Sequence, residues 1–104
     1  MYMIMHLFQE KYLQDVMLAL SEAGIDNCIV LTGESLSNKL MYDIPIFSTF
    51  RDSMGNSRGY GNIISGKADK EAVEFFLKEI KLAGIDFIEK EIGKIYLVPI
   101  SMEF

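Results

Sequence analysis

Scarcity sets the first limits on this chain. Its 104 residues include one cysteine (Cys28), one histidine (His6), two prolines and no tryptophan. A lone cysteine cannot close an internal disulfide, which favours a cytoplasmic setting. With no CxxC or HxxxH spacing there is no sequence signature of a metal site. The only histidine falls on an apolar strand expected to be packed, so no Ser-His-Asp or Cys-His arrangement stands out, and there is no Walker, dinucleotide or metalloprotease motif; catalysis is not expected. No apolar run approaches the ~18 residues of a membrane span. Tyr2–Phe8 is apolar but too short for a signal peptide and lacks a basic flank. Cations are few, ten Lys and Arg against fifteen Asp and Glu, for a net charge of −5. A surface that tracks phosphate backbones needs a basic patch, so nucleic acid is not expected as a partner.

What is present is periodic at both ends and aperiodic in the middle. Apolar residues make up half the chain, which excludes disorder, and the length suits one domain spanning 1–104. Tyr2–Phe8 (YMIMHLF) predicts a strand. Both of its alternating sets are apolar, so it is expected to be covered on both faces, with His6 packed among apolar neighbours. Residues 11–23 predict a helix with Leu13, Val16, Met17, Leu20 and Ala23 inward, stopped by Gly24. Residues 27–32 (NCIVLT) and Tyr60–Ser65 predict strands. Residues 68–83 predict a second helix with Ala72, Val73, Phe76, Ile80 and Ala83 inward, Asp69 capping its first turn and Gly84 ending it. Ile95–Ile100 predicts a last strand, again apolar on both faces. Leu20–Asp26 (LSEAGID) and Lys81–Asp86 (KLAGID) repeat weakly.

Two similar halves in this order predict an α+β ferredoxin-like βαββαβ sandwich, with two helices on one face of a four-stranded antiparallel sheet. The other sheet face would stay bare. Such an apolar face exceeds the few hundred Å² that a monomer usually exposes, so a compact homo-oligomer is expected, with Phe75 and Leu77 adding to its interface. Between the second and third strands, residues of about 33–59 form a long insertion. A connection beyond ~15 residues within a compact domain is usually functional or disordered. Ile44, Ile46, Phe47 and Phe50 are too apolar for a freely solvated loop and suit contact with a neighbouring subunit or a partner protein. Pro45 limits any strand there to a sheet edge. The only two arginines, Arg51 and Arg58, flank a turn-prone stretch. They suit a phosphate, a carboxylate or bicarbonate; the plainer alternative is a polar loop with the arginines paired to Asp43 or Asp52. A Gly59-Tyr60-Gly61 run allows close backbone approach.

Leu13–Ile25 (LQDVMLALSEAGI) resembles the first helix of the nitrogen regulatory PII proteins, and Gly93–Ile100 (GKIYLVPI) resembles their last strand. The element order is also similar, with the long insertion standing where that family carries its T-loop. The resemblance implies a homotrimer with sheets inward and a sensor that binds a small anionic effector, such as ATP, ADP, AMP or bicarbonate, in clefts between subunits. It would act on a transporter or enzyme through the loop. It assigns Gly93 and Lys94 to the effector, joined by Gly33, Arg51 and Arg58; the plainer reading of Gly93 and Lys94 is a turn glycine and a solvated lysine. Tyr42 lies in the loop without matching the family's modification site. The Gly-rich stretch before Gly93-Lys94 is shorter than the family's. No Arg-x-Arg pair follows the last strand, and Ile29 stands where the family has an adenine-contacting threonine. Two alternatives remain open: a metal-binding trimer like the CutA family, which shares the fold, and an interaction module without a ligand.

Overall fold

In a computed structural model, residues 1–43 and 60–104 are described, with only the backbone for 41–43. The predicted Ile44–Phe50 strand and the Arg51 and Arg58 anion reading lie outside the described residues. The elements are β1 (Tyr2–Leu7), a 3-10 turn (Glu10–Tyr12), α1 (Leu13–Glu22), β2 (Cys28–Glu34), α2 (Leu36–Asp43), β3 (Tyr60–Lys67), α3 (Lys70–Leu82) and β4 (Gly93–Val98). The four strands form one antiparallel sheet in the order β2-β3-β1-β4. This α+β architecture is consistent with the ferredoxin-like arrangement expected.

The most apolar strand, β1, lies inside the sheet between β3 and β4. One face of the sheet is closed by helices. Met3, Met5 and Leu7 of β1 and Ile64 of β3 meet Val16, Ala19 and Leu20 of α1 and Val73, Phe76 and Ile80 of α3 in one core. Phe87 enters from the turn before β4 and meets Phe76 edge to face, with ring centres 5.6 Å apart, a geometry worth about 1 kcal/mol beyond its burial. Both helices stop as expected. Gly24 and Gly84 take left-handed φ of 78° and 87°, which glycine adopts without a Cβ penalty. The Asp69 side chain accepts from the Ala72 N–H at 2.9 Å and caps α3.

The structure also corrects the expectations. Met17 is 40% exposed, and Ala19 takes its place in the core. Ala83 is exposed, and Leu77 packs against the core instead of standing free. The turn before α1, Glu10–Tyr12, winds as a 3-10 helix. Strand β2 continues through Gly33 and Glu34, so Gly33 belongs to a strand and not to a loop. Beyond it lies the unforeseen α2. Its first turn is held by the Ser35 hydroxyl, which accepts from the Asn38 N–H at 3.1 Å. Strand β4 begins at Gly93, two residues early, so Gly93 and Lys94 are strand residues.

The face opposite the helices is open. The alternation that buries Met3, Met5 and Leu7 turns Tyr2, Ile4 and His6 outward. Beside them Ile29 is 66%, Leu31 58% and Tyr96 55% exposed. His6 is therefore exposed, not packed as expected. A strand apolar on both faces reads as doubly covered, but the helices cover only one side.

Candidate functional site

Cross-strand pairing places Lys94 and Gly33 toward the same end of the open face, on its two edge strands β4 and β2. His6 is opposite Lys94 of β4 and opposite Ile63 of β3. Gly33 is opposite Gly61. Glu34 faces Tyr60, so β2 leaves the sheet and β3 enters it at this same end. Lys94 is exposed, between Gly93 and Ile95, which face the helices. Directly opposed residues have Cβ atoms ~5 Å apart, so the imidazole and the ammonium share one neighbourhood.

His6 is exposed and meets one aromatic neighbour among the described residues. Its ring meets Phe8 edge to face, with centres 4.4 Å apart. Its Nε2 is 3.7 Å from the point where a Cβ on Gly61 would stand. A Cβ on Gly33 would meet nothing within 4 Å. Gly33 leaves its stretch of the edge strand β2 bare, whereas a Cβ on Gly61 would stand 2.8 Å from the Leu7 carbonyl oxygen, so Gly61 serves the close approach of β1 and β3. Lys94 makes no ion pair among the described residues, whereas Lys67, at the other end of the face, holds Glu103 through both carboxylate oxygens at 2.7 and 2.9 Å. Lysine and imidazole are both donors suited to an oxyanion.

Gly93 has a different role from the one expected. It is buried, and a Cβ there would stand 2.5 Å from both the His6 carbonyl oxygen and the Phe87 ring. Its bare Cα makes room for Phe87 on the helix side of the sheet. Gly93 and Lys94 point to opposite faces and cannot act on one ligand through side-chain space. Of the expected effector residues, Lys94 and Gly33 share the open face but stand on its opposite edge strands, β4 and β2, roughly 15 Å apart across three strand spacings; Arg51, Arg58, Ile44, Ile46, Phe47 and Phe50 lie outside the described residues.

His6 and Phe8 were not foreseen as site residues. The available signal was the spacing of His6, Phe8 and a Gly-Tyr-Gly run, but it could not reveal the pairing of β1 with β3. The soft-ligand alternative also depends on faces. Cys28 lines up with the helix-side residues of β2 and packs on the core, while His6 faces outward, so the two cannot hold one ion within a single copy. Burial, and then the nearby Asp26 carboxylate, push the Cys28 thiol above its ordinary value, which disfavours a reactive thiolate.

A second polar feature lies under the same end. Asn62 is fully buried; its Nδ2 donates to Thr32 Oγ1 at 3.0 Å, and its Oδ1 has no partner among the described residues. At the opposite end of the sheet an open cleft of about 610 Å³ runs between the start of α3 and the 99–104 segment. Its charged groups are already engaged, Lys67 with Glu103 and Asp69 with its own helix. No helix among the described residues is long and apolar enough to cross a membrane. No protein-family model matches the chain, and no curated protein matches its sequence.

Proposed function

We propose that this protein is a PII-like regulatory protein: a homotrimer of ferredoxin-like domains that binds a small anionic effector beside Lys94 and acts on a partner protein through a T-loop-like insertion between β2 and β3. The observation that carries this reading is the open sheet face. It is broad and apolar, with Lys94 on one edge strand and, on the other, Gly33 near the point where the insertion leaves the sheet. An exposed apolar face of this kind marks an interaction site, and packing of sheets between copies would cover it. An effector at Lys94, on the edge strand β4, would then lie at the subunit boundary, where binding can bias what a neighbouring copy's insertion presents. In this reading the protein regulates and does not catalyse. Its effector is an adenine nucleotide or bicarbonate, and its target is a transporter or enzyme.

Titration calorimetry of the purified chain with ATP, ADP, AMP, cyclic AMP and bicarbonate tests the effector. At least one is expected to give saturable heat. Lys94→Ala is expected to weaken that binding about tenfold or more, the value of one charge-assisted hydrogen bond. Silence from every ligand removes the effector and leaves a module that only presents its insertion. Tight copper or zinc uptake lost in His6→Ala would favour the metal-binding alternative.

A further inference from the structure

The helix side of the molecule carries a surface that the effector reading does not use. Residues three and four apart share one face of a helix. On α1 this spacing joins Asp15, Leu18 and Glu22, and on α3 it joins Phe75, Glu79 and Leu82. The two stripes meet where the Glu79 carboxyl is hydrogen-bonded to Glu22, a contact that holds Glu79 above its ordinary value. Between and beside these carboxyls Leu18 is 65%, Phe75 45% and Leu82 78% exposed. No cation stands on either stripe. Helix α1 has none, and Lys70, Lys78 and Lys81 of α3 lie about 100° or more round the helix from Glu79. Lys11, in the turn before α1, stands over the Tyr12 ring at 5.1 Å. Glu22 and Glu79 also occupy the last turns of their helices, where the helix dipole disfavours a carboxylate.

We propose that the seam between α1 and α3 docks a basic amphipathic helix of a partner protein, with its apolar residues on Leu18, Phe75 and Leu82 and its lysines or arginines on Asp15, Glu22 and Glu79. The inference goes beyond the regulatory reading and needs neither its effector nor its assembly. The occupant follows from charge complementarity. Two carboxyls in contact at negative helix ends, with no cation on their stripes, are unfavourable in the free chain, and local rules of this kind are broken mainly at functional sites. A partner's cations remove the conflict through charge-assisted hydrogen bonds. The exposed apolar groups supply anchors, and their helical spacing on both sides of the seam suits a helix laid in a groove. In a two-fold contact a second copy of the chain would bring the same carboxylates. Anionic lipid or nucleic acid would add further negative charge.

Fluorescence anisotropy of a labelled leucine–lysine amphipathic helix of about five turns, titrated with the intact chain, tests this. Saturable binding is expected, with amide hydrogen-exchange protection on α1 and α3. A leucine–glutamate peptide of the same pattern is expected not to bind. Glu22→Lys sets an ammonium beside Glu79 and leaves the core untouched. It is expected to fold, by far-ultraviolet circular dichroism, and to bind the lysine peptide about tenfold or more weakly. Leu18→Ser with Phe75→Ser keeps the charge and is expected to weaken binding by a similar factor. Absence of binding, equal binding by the parent and Glu22→Lys, equal binding of the two peptides, or protection on the sheet strands in place of the helices overturns the inference. Capture of the chain by phosphatidylserine vesicles with no response to the lysine peptide overturns it too, and makes the surface a lipid contact. None of these results bears on the regulatory reading, which stands or falls on the effector titration.

Discussion

Glycine 93 and glycine 33 look alike in the sequence but carry opposite consequences. An added methyl at Gly93 meets a carbonyl oxygen and an aromatic ring at 2.5 Å, and neither can move far inside a packed core. Gly93→Ala is therefore expected to cost about 1–3 kcal/mol of stability, the usual range for overpacking. Gly33→Ala enters open space and is expected to stay within about 0.5 kcal/mol of the parent. Urea denaturation of both variants measures the difference. Had Gly93 served only ligand approach, its alanine variant would fold normally and lose binding alone. The resemblance attached Gly93 to the effector as the glycine of a Gly-Lys pair that lets the backbone approach a ligand, but adjacent strand residues point to opposite faces. His6 was misread for the matching reason. Alternation shows which residues share a face, not which face the helices leave bare.

At the level of elements, legibility followed periodicity. Both main helices and all four strands were readable from their apolar patterns and stop glycines. Helix α2 was not, because its eight residues lack a continuous apolar stripe, with Leu36 and Leu40 against Ser37, Asn38 and Lys39. The Ser35 cap was its local signal. The Asp69 cap of α3 was legible, and its removal makes a clean measurement. Asp69→Ala is expected to lower stability by about 1 kcal/mol, read from the denaturant midpoint at an unchanged slope. The seam between α1 and α3 adds a pH effect. A hydrogen bond to Glu22 is the main cause that raises the Glu79 carboxyl above its ordinary value of 4.5. A raised folded value stabilises the protonated form, so this contribution is present at low pH and is lost as pH rises through the raised value. Glu79→Gln is expected to remove that pH dependence and to relieve repulsion at neutral pH. Thermal melts of the parent and the variant should converge near about pH 4, where Glu79 is neutral like the glutamine, and separate toward about pH 7, with the variant the more stable.

For the molecule as a whole, the open face makes the sharpest claim. Ile29 and Leu31 lie on an edge strand whose residues are exposed on both sides, with only Cys28 half-buried. Edge strands of this kind readily recruit another chain. A double substitution, Ile29→Glu with Leu31→Glu, leaves the core untouched and is expected to give a folded monomer by light scattering at concentrations where the parent assembles. The bare face was legible from the two-faced strands alone, once two helices were counted against a four-stranded sheet. The site on it was only half legible, because it is completed by pairings between residues far apart in sequence.

That separation also shapes how the chain reaches its fold during synthesis. Strand β1 is made first but has no neighbour until Asn62–Lys67 arrive on one side and Gly93–Val98 on the other. At ribosomal speeds of ~5–20 residues per second, its apolar residues wait roughly 5–20 s for the last pairing. Throughout that interval the central strand of the finished sheet is a sticky, unpaired segment. The nascent chain is thus most vulnerable to misassociation before β4 emerges, and crowded translation of this protein should call on chaperones early.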